Sequence, residues 1–355
     1  MRQFRWFYRW RARSAGLCIR MLKRTDRSER RITAKEIAAK LGVSQSTVSR
    51  VLSNAPGYQY SAETRRRILQ EAERAAYRPH AVGRSLRERR TRVVGFTSSY
   101  ANLDARNAFL AEIIGSLQSS CARSGHFLLL HNFEPEVPPI QKLAELTCGR
   151  IDALVLHSAA DDPLVPLLRR AHLPVVAVAD AIPEIPSVVC DDRDGIRQAI
   201  EHLEARGHTR IAFLAPMTPL VSARAREAAY CDEMALRGWE AIRLYVEYEI
   251  TGPALAAMMQ MDPPPTAACC WNEVTALDLL HACRLKGVRV PDDLAIVGFD
   301  GLLDRRVMAK DLTTVMAGWP SVAETAIEVI HKMVQGATVP AVTTLPVSFH
   351  VGETT

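Results

Sequence analysis

A short run of polar side chains between residues 44 and 50 carries groups that can hydrogen-bond to DNA. It comprises Ser44, Gln45, Ser46, Thr47, Ser49 and Arg50. Hydroxyl, amide and guanidinium groups donate to and accept from base edges in a major groove, and they also bind phosphates. Val48, Val51 and Leu52 recur at helical spacing on the opposite side. The run therefore predicts a helix with one buried face and one face open to DNA.

The sequence contains no short motif that indicates catalysis. It lacks HExxH, GxGxxG and GxSxG, and its eight cysteines include no CxxC pair. Cys269 and Cys270 lie in an apolar run, where burial is expected rather than reactivity. A sugar-metabolising enzyme would need paired carboxylates or a nucleotide-binding loop, and neither can be placed. We therefore expect no enzyme activity, no cofactor, no metal site, and reduced thiols in the cytoplasm.

Two short helices joined by a turn are predicted to position the polar run. Thr33 can cap a first helix, and Glu36 can bond back to the N–H of the capping residue, which forms a capping box. Gly42 suits the turn because it tolerates left-handed backbone, and Ser44 can cap the second helix. This pattern is typical of a DNA-binding helix-turn-helix. For this segment alone, an ordinary helical hairpin with a polar solvent side is the alternative.

A third helix and the charge distribution favour DNA binding. Ser61 can cap a helix in which Ile68, Leu69, Ala72 and Ala76 recur at helical spacing and would complete a three-helix core. Through residue 92 the chain has 24 Lys and Arg against 7 Asp and Glu, whereas the remainder has 21 against 32. A basic end of this kind favours a polyanionic partner, since neutralised phosphates release counterions.

The first 30 residues form a basic extension that mixes arginine with aromatic residues. They contain no apolar run long enough for a signal peptide or a membrane span. We expect a disordered extension without a specific role. The alternative is an arm that adds non-specific affinity for DNA or for a membrane surface. Residues 31–78, the head, are then the helix-turn-helix domain.

From residue 93 onward, in the segment we call the body (residues 93–355), short apolar runs alternate with helical patterns. The runs read VVGF, FLLL, IDALVLH, PVVAVAD, SVVCD, RIAFLAP, IRLYVEY, TAACCW and LAIVGFD. Such alternation predicts an α/β fold with parallel sheets and crossover helices. About 260 residues exceed what one sheet commonly needs, so we expect two lobes with a ligand cleft outside the strand ends.

Several of these segments resemble the LacI/GalR family of bacterial transcription repressors. The resemblance lies in GVSQSTVSRVLSN and SAETRRRILQEAERAAYRPHAVGRSL, and it continues through SARAREAAY, CWNEVTALDLL, VPDDLAIVGFD and LTTV. It implies that Gln45 and Ser46 face bases, that Arg50 holds a base or phosphate, and that Ser44, Thr47 and Ser49 support backbone contacts. It also implies a body like the periplasmic sugar-binding proteins.

Residues 79–92 form the expected hinge between head and body. In the family this segment makes a short helix that docks in the minor groove, and a leucine wedges between base pairs. That role falls here to Leu86. The stretch is too short to be a stable helix alone in water, so we expect it to order on DNA. A solvated basic linker is the alternative.

The resemblance and the residue types together predict an effector site. Arg226 offers a planar fork for hydroxyls or a carboxylate, and Asp300 and Asn272 follow apolar runs where α/β sheets place ligand groups. Helix capping and loop closure are the alternatives. The expected wall of the first lobe comprises Tyr100, Asn107, Phe109 and Trp319, for which core packing is the alternative. The expected effector is a sugar or sugar acid.

These expectations combine into an allosteric repressor. Two copies would pair as a homodimer through the body and present two heads to a pseudopalindromic operator. We expect lobe 1 over residues 93–190 and 319–345, and lobe 2 over residues 191–318. The alternative from another class is a solute-binding protein of transport, which shares the two-lobed body but needs neither a basic head nor a cytoplasmic location.

Overall fold

The computed structural model describes residues 32–53, 60–77, 85, 90–100, 103, 106–217, 220–247, 250–302 and 310–355. The chain divides into two compact units, the first ending at Arg89 and the second beginning at Arg90. Each unit has its own hydrophobic core. The predicted extension of residues 1–30 and the predicted wedge residue Leu86 lie outside the described residues.

Three helices make up the described part of the first unit: α1 (Ala34–Leu41), α2 (Gln45–Leu52) and α3 (Ala62–Arg74). The predicted capping box is confirmed, since Thr33 N–H donates to Glu36 Oε2 at 2.7 Å and Glu36 N–H donates to Thr33 Oγ1 at 3.3 Å. Gly42 ends α1 with φ of 66°. The backbone N–H of Thr47 donates to Ser44 Oγ at 3.0 Å, so the predicted cap of α2 is also confirmed.

The core of this unit is formed by one face of each helix. Ile37, Val48, Val51 and Ile68 are buried there. The prediction for Leu69 was wrong, because Ile68 takes the inward position and leaves Leu69 44% exposed on the outer side of α3. Ala76 was also wrongly assigned to this core. The helix ends at Arg74, and Ala76 is exposed with φ of 48°.

The second unit contains two six-stranded sheets. The strands of the first sheet are β1 (Val93–Ser98), β2 (Phe127–Leu130), β3 (Ala153–His157), β4 (Val175–Val178), β5 (Ser187–Cys190) and β11 (Val342–Leu345). Their order in the sheet is β11-β5-β4-β3-β1-β2, and the described pairs are all parallel. The accompanying helices are α4 (Ala108–Arg123), α5 (Pro139–Leu146), α6 (Val165–Arg170) and α11 (Trp319–Val334).

The strands of the second sheet are β6 (Ile211–Pro216), β7 (Ile242–Val246), β8 (Ala267–Cys270), β9 (Ala295–Asp300), β10 (Thr313–Met316) and β12 (Ser348–His350). Their order in the sheet is β12-β10-β9-β8-β6-β7, with β12 antiparallel to β10. The accompanying helices are α7 (Asp192–Ala205), α8 (Val221–Leu236), α9 (Gly252–Gln260) and α10 (Glu273–Lys286). The chain thus folds into the expected two-lobed α/β body. No described helix is long and apolar enough to cross a membrane.

The chain passes between the lobes three times. It leaves the first sheet after β5, returns through α11, and leaves again after β11 to form β12. The last ten residues, which the predicted lobe boundaries left unassigned, bind the second sheet: Thr354 Oγ1 donates to Ile296 O at 2.7 Å and accepts from Thr313 N–H at 3.0 Å. These crossings place the carboxyl ends of both sheets around one cleft.

Candidate functional site

The polar face of α2 presents the predicted DNA-contacting residues at the surface of the first unit. Gln45 and Ser46 are exposed, whereas Thr47, Ser49 and Arg50 are half-buried. Ser44 is exposed, and its Oγ lies 2.7 Å from Ser46 Oγ and 2.8 Å from Thr47 Oγ1. The first turn of α2 therefore carries a cluster of hydroxyls beside a helix N-terminus, which can donate hydrogen bonds to phosphate oxygens.

A cavity of about 450 Å³ opens between the two lobes of the second unit. Its lining includes all seven residues predicted for the effector site: Tyr100, Asn107, Phe109, Arg226, Asn272, Asp300 and Trp319. Sequence reasoning missed several others, among them His157, Asp180, Met217, Ser222, Glu247 and Trp271. The lining residues follow the carboxyl ends of the strands, where open α/β sheets bind ligands. We call this cavity the cleft.

Arg226 lies in the second turn of α8 and is only 2% exposed. Its Nε donates to Asp192 Oδ1 at 2.7 Å, and its Nη1 donates to Trp271 O at 2.6 Å and to Asp300 Oδ1 at 3.2 Å. The guanidinium also lies over the Phe299 ring, 3.6 Å from its centroid. Burial alone would lower the pKa of Arg226, but the two carboxylates hold that pKa above its usual value.

Asp300 ends β9 in an unusual backbone conformation. Its φ is 118°, which costs a non-glycine residue free energy and is typical of functional positions. Burial raises the pKa of its carboxyl to about 7, while the neighbouring Arg226 opposes that rise. Burial likewise raises the pKa of Asp192. Arg226 and the two carboxylates therefore form one buried, mutually dependent cluster.

The two asparagines of the lining also cap helices. Thr275 N–H donates to Asn272 Oδ1 at 2.8 Å at the start of α10, and Leu110 N–H donates to Asn107 Oδ1 at 3.0 Å at the start of α4. Each asparagine therefore caps a helix and lines the cleft at the same time. Because each carbonyl oxygen accepts from its own helix, the amide NH₂ groups are the parts suited to binding a ligand.

Aromatic rings line the first-lobe side of the cleft. The Phe109 ring lies 4.8 Å from His157 and 4.9 Å from Trp319, measured between centroids, and Tyr100 lies 4.7 Å from His157. Trp319 is only 3% exposed, so it packs in the core as well as lining the cavity. Its Nε1 has no hydrogen-bond partner among the described residues. Burial lowers the pKa of His157 to about 4, although Asp180 opposes this, so the ring is neutral near pH 7.

Asp180 links the two lobes. Its Oδ2 accepts from Tyr100 OH at 2.7 Å, and its Oδ1 accepts from the backbone N–H of Ser222 at 2.7 Å. The second bond lies at the start of α8, which has no side-chain cap of its own. Asp180 could have been found from the sequence, because it ends the apolar run PVVAVAD just as Asp300 ends LAIVGFD.

The described residues contain no group of three or more His, Cys, Asp or Glu side chains arranged to hold a metal ion. The described cysteines are all free, and Cys269 and Cys270 are buried as predicted. Burial raises the pKa of both thiols. Among the described residues, the arrangement is therefore one of hydrogen-bond donors, acceptors and aromatic faces, which suits binding.

Two families match the chain. The family described as "Bacterial regulatory proteins, lacI family" matches residues 33–80, and the family described as "Periplasmic binding protein-like domain" matches residues 200–355. The repressor PurR of Photobacterium profundum is 30% identical over 315 residues, which cover 85% of this chain and 92% of that protein. The probable repressor ExuR of Bacillus subtilis is 26% identical, covering 80% and 86%.

Solved structures of similar proteins agree with these matches. The lac repressor dimer bound to operator and the anti-inducer ONPF is 26% identical, with a TM-score of 0.79, and the alignment covers 91% of this chain and 98% of that chain. The fold also resembles that of the transcriptional regulator CelR in complex with cellobiose, at 24% identity and a TM-score of 0.66, covering 92% and 100%.

Proposed function

Since the chain belongs to the LacI/GalR family of transcription regulators, we propose that it is a sequence-specific DNA-binding repressor whose operator affinity is set by a small molecule in the cleft. The observation that carries this proposal is the capped helix α2 with Gln45 and Ser46 exposed on its polar face. Its relatives are repressors, which favours this function over solute transport or catalysis. A repressor must meet its operator, so we place the protein with the nucleoid in the cytoplasm.

We assign the DNA contacts as follows. Gln45 and Ser46 reach base edges, Arg50 binds a base or phosphate, and Ser44, Thr47 and Ser49 support backbone contacts. Two copies present two such helices to a palindromic operator, as expected for a homodimer. Leu86 in the hinge of residues 79–92 is assigned the minor-groove wedge.

The effector is proposed to be a sugar or sugar derivative. Asn272 and the second-lobe cluster around Arg226 supply donors and acceptors for hydroxyl groups, and the aromatic wall supplies a face for a ring. A ligand that touches both lobes favours one degree of closure. Such a ligand changes operator affinity by about 1–3 kcal/mol, and DNA must change effector affinity equally.

The proposal is tested by selecting bound duplexes from random DNA with the full-length protein, its Arg50→Ala and Leu86→Ala variants, and Lys35→Ala as a control in the same head. We expect a palindrome that the parent and the control recover and that the first two variants lose. We also expect operator binding to weaken steeply as salt rises, since phosphate contacts release counterions. Recovery of no preferred sequence, together with binding that salt leaves unchanged, would contradict the proposal.

A further inference from the structure

The described residues that line the cleft carry more negative than positive charge. Their acidic side chains are Asp180, Glu247 and Asp300, of which Asp300 has a pKa of about 7, and their cationic side chain is Arg226, while His157 is neutral near pH 7. Arg226 is already bonded to Asp192 and Asp300. Its positive charge is therefore already offset by carboxylates of the protein, which reduces its attraction for a ligand carboxylate or phosphate.

Asp180 is the acidic group best placed to meet a ligand. It is only 1% exposed yet lines the cleft, and its partners are the neutral donors Tyr100 OH and Ser222 N–H. Among the described residues no lysine or arginine pairs with it, and the His157 Nε2 atom lies 4.0 Å from Oδ2. A buried carboxylate without a cationic partner is the natural complement of a cationic ligand.

The rest of the lining suits an organic cation rather than a metal ion. Tyr100, Phe109, Trp271 and Trp319 contribute aromatic rings, and ring faces attract ammonium groups. The second-lobe side offers apolar surface to the uncharged part of the ligand. This surface comprises Met217, Leu220, Val246, Val274 and Leu302. Acidic and aromatic groups together suit an amine. A Ca²⁺ or Mg²⁺ ion would instead need several oxygen ligands around one point, and the described residues contain no group of acidic side chains arranged in that way.

We propose that the effector carries a protonated amine that faces Asp180 and the aromatic wall, and that anionic effectors such as sugar acids are excluded. This inference rests on the proposed function, since it concerns the effector of the same cleft, and it makes an ammonium group rather than a sugar ring the defining feature of that effector. The amine can belong to an amino sugar or to a more apolar molecule, because both share the ammonium group that the cleft selects.

The first test separates a bacterial metabolite extract into cation-exchange-retained, anion-exchange-retained and unretained fractions. Each fraction is assayed with the full-length protein by thermal unfolding and by titration of the selected operator. We expect the cation-exchange-retained fraction to raise the melting temperature and change operator affinity. Activity confined to either other fraction, or absent from all three, overturns the inference. Operator selection without effector would still succeed in that case, so the two proposals fail separately.

Two sets of matched compounds then identify the kind of molecule that carries the amine. One is D-glucosamine, D-glucose and D-glucuronate, and the other is tyramine, tyrosol and 4-hydroxyphenylacetate. Tighter binding of the amine in the first set assigns an amino sugar, and in the second an apolar amine. Tighter binding of the acid in either set contradicts the inference.

A variant that removes the charge of Asp180 tests whether this residue is responsible for the preference of the cleft for amines. Asp180→Asn keeps the shape of the side chain but has one acceptor oxygen for the two donors Tyr100 OH and Ser222 N–H. We therefore expect it to weaken binding of the active amine by at least about tenfold more than binding of the neutral compound of the same set. Asp161→Asn is the matched control, since Asp161 is exposed and outside the lining. Equal affinity in Asp180→Asn and Asp161→Asn would overturn the role of Asp180. The fractionation uses the parent protein and does not depend on how either variant folds.

Discussion

The polar face of α2 and the cleft hold their polar groups in opposite environments. On α2, Gln45 and Ser46 are exposed, whereas in the cleft Arg226 and Asp300 are buried and bonded to each other. An exposed group meets its partner without a desolvation cost on folding, but a buried charge must be compensated inside the fold. The contrast implies that substitution of the exposed, non-capping side chains of α2, such as Gln45, should change binding alone, whereas substitutions in the cleft should change binding and stability together.

Removal of the Arg226 guanidinium from the cleft should have the largest effect on the free energy of unfolding. Arg226→Met leaves Asp192 and Asp300 buried without their counter-charge, so the free energy of unfolding should fall by about 3–5 kcal/mol. Urea denaturation measures this. Arg224→Met, on the exposed side of the same helix, is the matched control and should change stability by less than about 0.5 kcal/mol. Equal stability of the two variants would remove the contrast between the regions.

The free energy of unfolding should also depend on pH through His157 in the cleft. Burial lowers the pKa of His157 from 6.5 to about 4, so the native state binds fewer protons than the unfolded state between these values. Its contribution to stability is therefore present above about pH 6.5 and is lost as pH falls through about 4. The stability advantage of the parent over His157→Gln should shrink by about 1–3 kcal/mol between about pH 7 and 4.5.

Denaturation at both pH values measures that advantage, and the subtraction cancels groups common to both proteins. His172→Gln, at an exposed histidine, is the matched control, and we expect its difference from the parent to stay constant. If the difference for His157→Gln also stays constant with pH, burial of the ring does not control its protonation.

Substitution on α2 tests the other side of the comparison. Gln45→Ala removes an amide from the exposed face, so operator affinity should fall by about 1–3 kcal/mol while the melting temperature stays at the parent value. Electrophoretic mobility titration and thermal unfolding measure the two quantities. Gln70→Ala makes the same change on the exposed side of α3, and it should leave affinity unchanged. A lower melting temperature for Gln45→Ala would show that the face contributes to folding.

The same contrast explains what could be predicted from sequence. Helix caps depend on residues three positions apart, so Thr33 with Glu36 was visible directly. The nine apolar runs coincide with β1–β9. Three strands were missed. The buried strand β10 reads TTVM, and its two threonines leave no continuous apolar run. The short edge strands β11 and β12 have half-exposed or exposed side chains that form no apolar run either. Arg226 and Asp300 were predicted as site residues, but Asp192 was not. Arg226 pairs with residues 34 and 74 positions away, and spacing alone cannot reveal such pairs.

The smallest expected effects concern the two serines that cap helices in the head. Ser44 and Ser61 cap α2 and α3 in the same way: each Oγ accepts from an N–H three residues on, at 3.0 and 3.1 Å, and each lies 2.8 Å from a threonine hydroxyl. Ser44→Ala and Ser61→Ala should therefore each lower the free energy of unfolding by about 1 kcal/mol.

Operator affinity should distinguish these two capping serines. Under conditions where both variants are fully folded, Ser44→Ala should weaken operator binding, because its hydroxyl belongs to the proposed contact face, whereas Ser61→Ala should bind like the parent. Circular dichroism melting and operator titration of the two proteins side by side measure both quantities. If the two variants lose stability and affinity in parallel, Ser44 acts only as a cap, and the contact face begins at Gln45.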